Sequence, residues 1–157
     1  MRYMMLFLSM TFIVSMLSAV AQEDNLKGLP NDVETVTLTL LGEARSEGEV
    51  GIYAVACVIQ QRQLERHLSP ANVCIQRKQF SCWNGQKVKD LKRQVEGTPK
   101  NIVAYAVKIA KQLVSGETLN RTIVGSANHY CVSTLNPYWV KGHQLSAQVG
   151  NHKFYKL

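Results

Sequence analysis

Apolar residues recur along the chain in rhythms that change from segment to segment, and each change marks an element. Val33, Val36, Leu40, Leu41 and Ala44 fall at helical spacing, and Asn31 with Glu34 three residues on has the capping-box form that opens a helix. The same stretch alternates through Val36-Thr37-Leu38-Thr39-Leu40, as a strand would; the cap and the length of the pattern favour the helix. Residues 49–66 are apolar on nearly every side from Val50 to Ile59 and turn polar at Gln60-Gln61-Arg62-Gln63, which predicts a buried central helix. Ser69-Pro70 and Thr98-Pro99 each have the cap-then-proline form of a helix start. The second leads into Ile102, Val103, Ala106, Ile109, Ala110 and Leu113 on one side, with Lys100, Lys108 and Lys111 outside and Gly116 as a stop. From residue 122 the pattern changes to β-type residues and turns: Thr122-Ile123-Val124, His129-Tyr130-Cys131-Val132, and Val149 through Tyr155 around Gly150-Asn151. Helices first and strands last predict one α+β domain over 31–157, mostly helical with a small C-terminal antiparallel sheet.

The N-terminus reads differently. Arg2 precedes an uncharged run from Met4 to Val20, and Ala19-Val20-Ala21 is a small-x-small cleavage pattern before Gln22-Glu23-Asp24. Residues 1–21 are expected to be an export signal and 22–30 a polar leader. The run is shorter than the roughly 20 residues of a membrane span and is diluted by Ser9, Thr11, Ser15 and Ser18, so no lasting membrane insertion is expected. Export to a periplasmic or extracellular site also makes disulfides among Cys57, Cys74, Cys82 and Cys131 permissible, with Cys74–Cys82 the favoured pair across a loop. No Cys-x-x-Cys or His-x-x-x-His spacing supports a metal site, and neither metal nor cofactor is expected.

Charge then divides the chain. Without Arg2 it carries 17 basic and 11 acidic residues, net +6; residues 22–49 are net −5 and residues 50–157 net +11. A basic body on an exported protein suits an extracellular polyanion such as a wall polymer, although charge alone is equally consistent with a surface that has no special partner. Nucleic acid is disfavoured by export and by the absence of a recognised binding motif. Within the acidic end, Glu43 falls near the close of the apolar stripe and Glu47 one turn later on the same side. Desolvation and a like charge nearby both suit a carboxyl group to general acid work. Residue types alone favour the plainer reading, that these acids solvate a helix end.

A resemblance changes that balance. Gly42-Glu43-Ala44-Arg45-x-Glu47-Gly48-x-x-Gly51, then Ala54-Val55-Ala56-x-Val58-Ile59-x-x-Arg62, resembles the opening of the cell-wall hydrolase family that includes the spore-cortex-lytic enzymes of bacilli. The likeness continues through Gln79-Phe80-Ser81-Cys82-Trp83, His129-Tyr130, Asn136-Pro137-x-Trp139 and Gly150-Asn151-His152-x-Phe154-Tyr155, so it spans roughly residues 33–157. Gln61 stands where the family commonly has asparagine, Val50 where it has an acid, and Cys57 and Cys131 where no cysteine is expected.

The resemblance implies a lysozyme-like fold that acts on peptidoglycan glycan strands; a monomer is expected. It further implies cleavage between N-acetylmuramic acid and N-acetylglucosamine in the manner of a lytic transglycosylase, with Glu43 as catalytic acid and then base. An ordinary glycosidase needs two carboxylates, whereas intramolecular attack by the muramic 6-hydroxyl needs one. The acids after residue 50, namely Glu65, Asp90, Glu96 and Glu117, lie outside every matched motif. Glu47, Phe80, Ser81, Trp83, His129, Tyr130, Asn136, Trp139 and His152 are then expected to bind substrate, the aromatics by stacking on sugar faces and the polar groups by hydrogen bonds. Core packing is an equal alternative for each aromatic. Arg45 either pairs with Glu47 or touches substrate, and Lys87, Lys89, Lys92 and Arg93 read as a solvated face, with attraction to a wall polymer as the alternative. Two rival functions are a Cys–His wall peptidase using Cys57 or Cys82, and a glycan-binding module without activity.

Overall fold

The computed structural model describes Leu26 and residues 31–157; the expected export signal and nearly all of the leader lie outside the described residues. Helix α1 (Asn31–Ala44) runs through a one-turn 3-10 segment, Arg45–Glu47, into α2 (Gly48–Arg66). The short helices α3 (Pro70–Ile75) and α4 (Val88–Gln94) precede the long α5 (Lys100–Ser115), and strands β1 (His129–Val132), β2 (Leu145–Val149) and β3 (His152–Tyr155) close the chain. The fold is thus α+β, mostly helical, with the three strands in antiparallel order β1-β3-β2.

The helix reading of 31–44 holds, and α1 takes the central place expected of α2. It packs against α2, α3, α4 and α5, and every residue from Val36 to Leu41 is buried. This explains the strand-like alternation: Thr37 and Thr39 sit inside a helix, where a threonine hydroxyl can bond back along the chain. Thr39 Oγ1 does so, donating to the Thr35 carbonyl at 2.8 Å. Asn31 is the first helical residue, and Glu34 pairs with Lys92 of α4 at 2.6 Å.

Three further expectations are corrected. Residues Arg121–Ile123 form a 3-10 turn, with Asn120 Oδ1 accepting from the Thr122 N–H at 3.1 Å, so the β-branched run there is not a strand. Thr98 does not cap α5; its hydroxyl donates to the Val95 carbonyl at 2.6 Å, while Ser69 does cap α3 through the Asn72 N–H at 3.2 Å. No disulfide forms: Cys57, Cys74, Cys82 and Cys131 are all buried thiols, and burial pushes Cys57 and Cys74 up to about 12.

The sheet is fastened to the helices by two networks. Buried Arg62 of α2 donates from Nε to the Asn128 carbonyl at 2.6 Å and from Nη1 to the Gln79 carbonyl at 3.2 Å, and its guanidinium lies 4.9 Å over the Phe80 ring. Glu65 accepts from Asn128 Nδ2 at 2.9 Å, from Gln61 Nε2 at 2.7 Å and from Lys156 Nζ. Burial alone would raise the Glu65 carboxyl, but these donors outweigh it and hold the group at about 2, below its ordinary 4.5. Because the folded value lies below the unfolded one, the stabilisation is present above about pH 4.5 and is lost as pH falls toward 2. Wild type is expected to lose more stability than Glu65→Gln across that window, by on the order of 1 kcal/mol after solvent screening. Calorimetry of both proteins at stepped pH checks it.

Candidate active site

Glu43 occupies the last turn of α1, and its carboxylate is met by three donors from two distant parts of the chain. Oε1 accepts from the Ser81 hydroxyl at 3.0 Å and from the Cys82 backbone N–H at 2.8 Å; Oε2 accepts from the Tyr130 hydroxyl at 2.8 Å. Hydrogen bonds to a charged acceptor are worth about 1.5–3 kcal/mol each, so this set fixes the carboxylate's orientation. Ser81 is exposed while Glu43 and Tyr130 are half-buried, which leaves the group at an open edge of the molecule. Burial and the adjacent Glu43 charge hold the Tyr130 phenol well above its usual range, so it stays protonated and donates.

The Ser81–Trp83 turn reaches Glu43 because position 42 has no side chain. A Cβ on Gly42 would stand 2.7 Å from the Cys82 Cβ and 3.1 Å from its Sγ. The Trp83 indole N–H then ties the turn to Thr39 Oγ1 at 2.9 Å, one helical turn before Glu43. Gly42→Ala is expected to push the turn away, cutting activity about 100-fold and stability by about 1–3 kcal/mol. Rate and denaturant unfolding, measured together, check it.

Glu47 is held in another way. The Asn151 backbone N–H donates to its Oε2 at 2.9 Å and Asn151 Nδ2 to its Oε1 at 3.1 Å. The backbone bond is the main reason its carboxyl is lowered; burial opposes it, and the Asn151 side chain and nearby His152 add to the lowering. A Cβ on Gly150 would collide with the Glu47 carboxylate, so the β2–β3 turn at Gly150 (φ 53°) is shaped to this acid. Arg45 does not pair with Glu47; its Nη1 donates to the Leu41 carbonyl at 3.3 Å.

The remaining sequence-expected residues fall into three groups. Phe80 is 1% exposed and belongs to the core beneath Arg62 and 6.5 Å from Tyr130, so it has no face to offer a sugar. His152 is buried too, edge-on to Tyr130 at 5.2 Å, with Nδ1 lacking a partner among the described residues. These rings and Phe154 back Tyr130 from the inner face of the sheet. On the other side His129 lies 5.6 Å from the half-buried Trp139, which meets Tyr155 edge-on at 5.8 Å. Burial, with Arg62 and Arg66 nearby, lowers His129 to about 4, so it is neutral at pH 7. Trp83 is half-buried, and Asn136 is exposed without a hydrogen bond to Glu43 or its donors. Three participants carried no residue-type signal: the Cys82 backbone N–H, the missing side chain of Gly42, and Asn151 as partner of Glu47.

The sequence profile of the family described as Cell Wall Hydrolase matches residues 46–155, a stretch that begins three residues after Glu43. Among solved structures, the catalytic domain of the Bacillus cereus SleB protein is similar at 23% identity and TM-score 0.57, over 83% of this chain and 97% of that one. The catalytic domain of the germination-specific lytic transglycosylase SleB from Bacillus anthracis is similar at 23% identity and TM-score 0.57, over 83% of this chain and 98% of that one. At this identity both show a shared fold. No curated protein matches the chain.

Proposed function

The chain belongs to the cell wall hydrolase family, and on that premise we propose that it cuts peptidoglycan glycan strands between N-acetylmuramic acid and N-acetylglucosamine as a lytic transglycosylase, with Glu43 as its acid and base. The observation that carries this reading is the Glu43 carboxylate held at an open edge by Ser81, Cys82 and Tyr130. Protonated Glu43 gives its proton to the glycosidic oxygen, the bond from muramic C1 to that oxygen breaks, and the N-acetylglucosamine 4-hydroxyl leaves. The carboxylate then removes the proton of the muramic 6-hydroxyl, whose oxygen closes on C1 to give a 1,6-anhydro end, and Glu43 is protonated again.

The three donors suit both halves of the cycle. The Cys82 N–H is a fixed donor that supports the carboxylate, while the Ser81 and Tyr130 hydroxyls can turn and accept when Glu43 holds its proton. Glu47 is less suited to donate a proton than Glu43, because the Asn151 donors hold its carboxyl below the ordinary range. In this reading Trp83, His129, Asn136 and Trp139 are assigned to sugar contacts, while Glu47 and His152 act through Asn151 and Tyr130. The polymer lies outside the cytoplasmic membrane, consistent with residues 1–21 as an export signal, and among the described residues no helix is long and apolar enough to cross a membrane.

A Cys–His peptidase is disfavoured by the geometry. Cys57, Cys74, Cys82 and Cys131 are buried, and burial raises each thiol away from the thiolate a nucleophile needs. The purified protein is expected to clear a suspension of sacculi and release fragments cut in the glycan with peptides intact. Binding without clearing would make it a glycan-binding module, and cut peptides with intact glycan would make it a peptidase.

A further inference from the structure

The segment that holds Glu43 is one-sided in charge. No aspartate or glutamate occurs between Glu65 and Asp90, while Arg77 and Lys78 precede the Ser81–Trp83 turn and Lys87 and Lys89 follow it. All four cations are exposed, and none joins an ion pair among the described residues. Asp90, the nearest acid in sequence, has Oδ2 occupied by the Lys87 backbone N–H at 3.1 Å.

Arg77 and Lys78 adjoin a fixed residue, Gln79. The Gln79 carbonyl accepts from buried Arg62 at 3.2 Å, its side-chain oxygen accepts from Arg66 at 2.9 Å, and its N–H donates to the Gln76 carbonyl at 3.1 Å. Lys78 is three residues from Ser81, so their Cα atoms are at most about 11 Å apart, a gap that a lysine side chain largely covers. A neutral glycan gives such groups nothing to bind, but the muramyl residues of peptidoglycan carry short peptides with free carboxylates. Lysines, as hydrated point charges on flexible stems, suit mobile carboxylates better than one rigid anion.

Resting on the glycan-cutting role proposed above, we propose that Arg77, Lys78, Lys87 and Lys89 form a carboxylate-binding rim that takes the acidic stem peptides of the strand being cut. The rim favours strands that still bear their peptides and draws them to Glu43 through a salt-sensitive attraction.

The test uses three preparations of sacculi: native, treated with an amidase that leaves one lactyl carboxylate per muramic acid, and native with all carboxylates capped as amides. At low ionic strength wild type is expected to cut native sacculi about tenfold faster than capped ones. That ratio should fall to about one in high salt and in the variant Arg77→Gln/Lys78→Gln/Lys87→Gln/Lys89→Gln, whose fold is checked by its melting curve. Amidase-treated sacculi should behave like capped ones. A wild-type ratio near one at low salt, or a variant that keeps the wild-type ratio, would overturn the rim. Amidase-treated sacculi cut as fast as native would assign the attraction to the lactyl carboxylate and overturn the stem-peptide assignment. A salt-sensitive advantage of wild type over the variant that persists on capped sacculi would instead indicate a phosphodiester polymer, also overturning it. Co-sedimentation of Glu43→Gln, with and without the four changes, reads the rim apart from cutting. A cation-dependent preference for native sacculi there, in a wild-type protein that cuts nothing, would sink the glycan-cutting role and leave the rim standing.

Discussion

Glu43→Gln is expected to lower the rate of sacculus clearing by about 1,000-fold, because one carboxyl group serves as both acid and base in the proposed cycle. The substitution is nearly isosteric. The glutamine carbonyl still accepts from Ser81 and the Cys82 N–H, and its amide can donate to the Tyr130 hydroxyl, which accepts as readily as it donates. The melting temperature should therefore stay close to wild type while activity collapses. A variant that folds and keeps activity within tenfold of wild type would remove Glu43 from the mechanism.

The largest loss of stability is expected at Arg62. Arg62→Met keeps the length and most of the volume of the side chain but strands the Asn128 and Gln79 carbonyls, which lose donors at 2.6 and 3.2 Å. Buried acceptors left unpaired cost about 1–3 kcal/mol each. Part of this is offset, because burying the guanidinium is itself unfavourable and lowers it from 12.5 to about 10. A net loss of about 2–4 kcal/mol remains, read as a fall of roughly 5–15 °C in melting temperature. Activity should fall as well, since Asn128 leads into the strand bearing Tyr130 and Gln79 into the turn bearing Ser81. Arg62→Lys should rescue only part of either loss, because one ammonium group cannot follow the divergent geometry of the fork. A loss below about 1 kcal/mol would mean that other contacts hold the sheet to α2.

How much could be read from the chain depended on which physical signal each feature carried. Helix α5 was legible in its apolar side and its left-handed stop at Gly116 (φ 84°), though not in its cap. Helix α1 was legible as a helix but not as the centre of the fold, because Thr37 and Thr39 look polar in sequence and only tertiary packing buries them. Strand β2 was missed: Leu145 to Val149 are exposed or half-exposed and lack the alternation of a strand with one buried face. Thr122-Ile123-Val124 misled in the opposite sense, since Asn120 imposes a turn that β-propensity does not foresee.

The site divides along the same line. Motif residues named Glu43, Ser81 and Tyr130 separately, and the fold brings hydroxyls 38 and 87 residues distant onto one carboxylate. The Cys82 donor is a backbone group that any residue would supply, and Gly42 contributes an absence, so neither announces itself by side-chain chemistry. Phe80 shows the converse error: an aromatic inside a functional motif reads as a sugar platform, yet it is sealed under Arg62. The expected export signal makes disulfides permissible, but all four cysteines are buried free thiols.

The central claim, that one glutamate and an internal hydroxyl cut the strand, is tested most directly by digesting purified sacculi in water enriched in oxygen-18 and weighing the new muramyl ends. Intramolecular attack is expected to give 1,6-anhydro ends, lighter by one water than a reducing end and free of label. Reducing ends that carry the heavy oxygen at C1 would contradict it, because water and not the 6-hydroxyl would then have taken the place of the departing sugar.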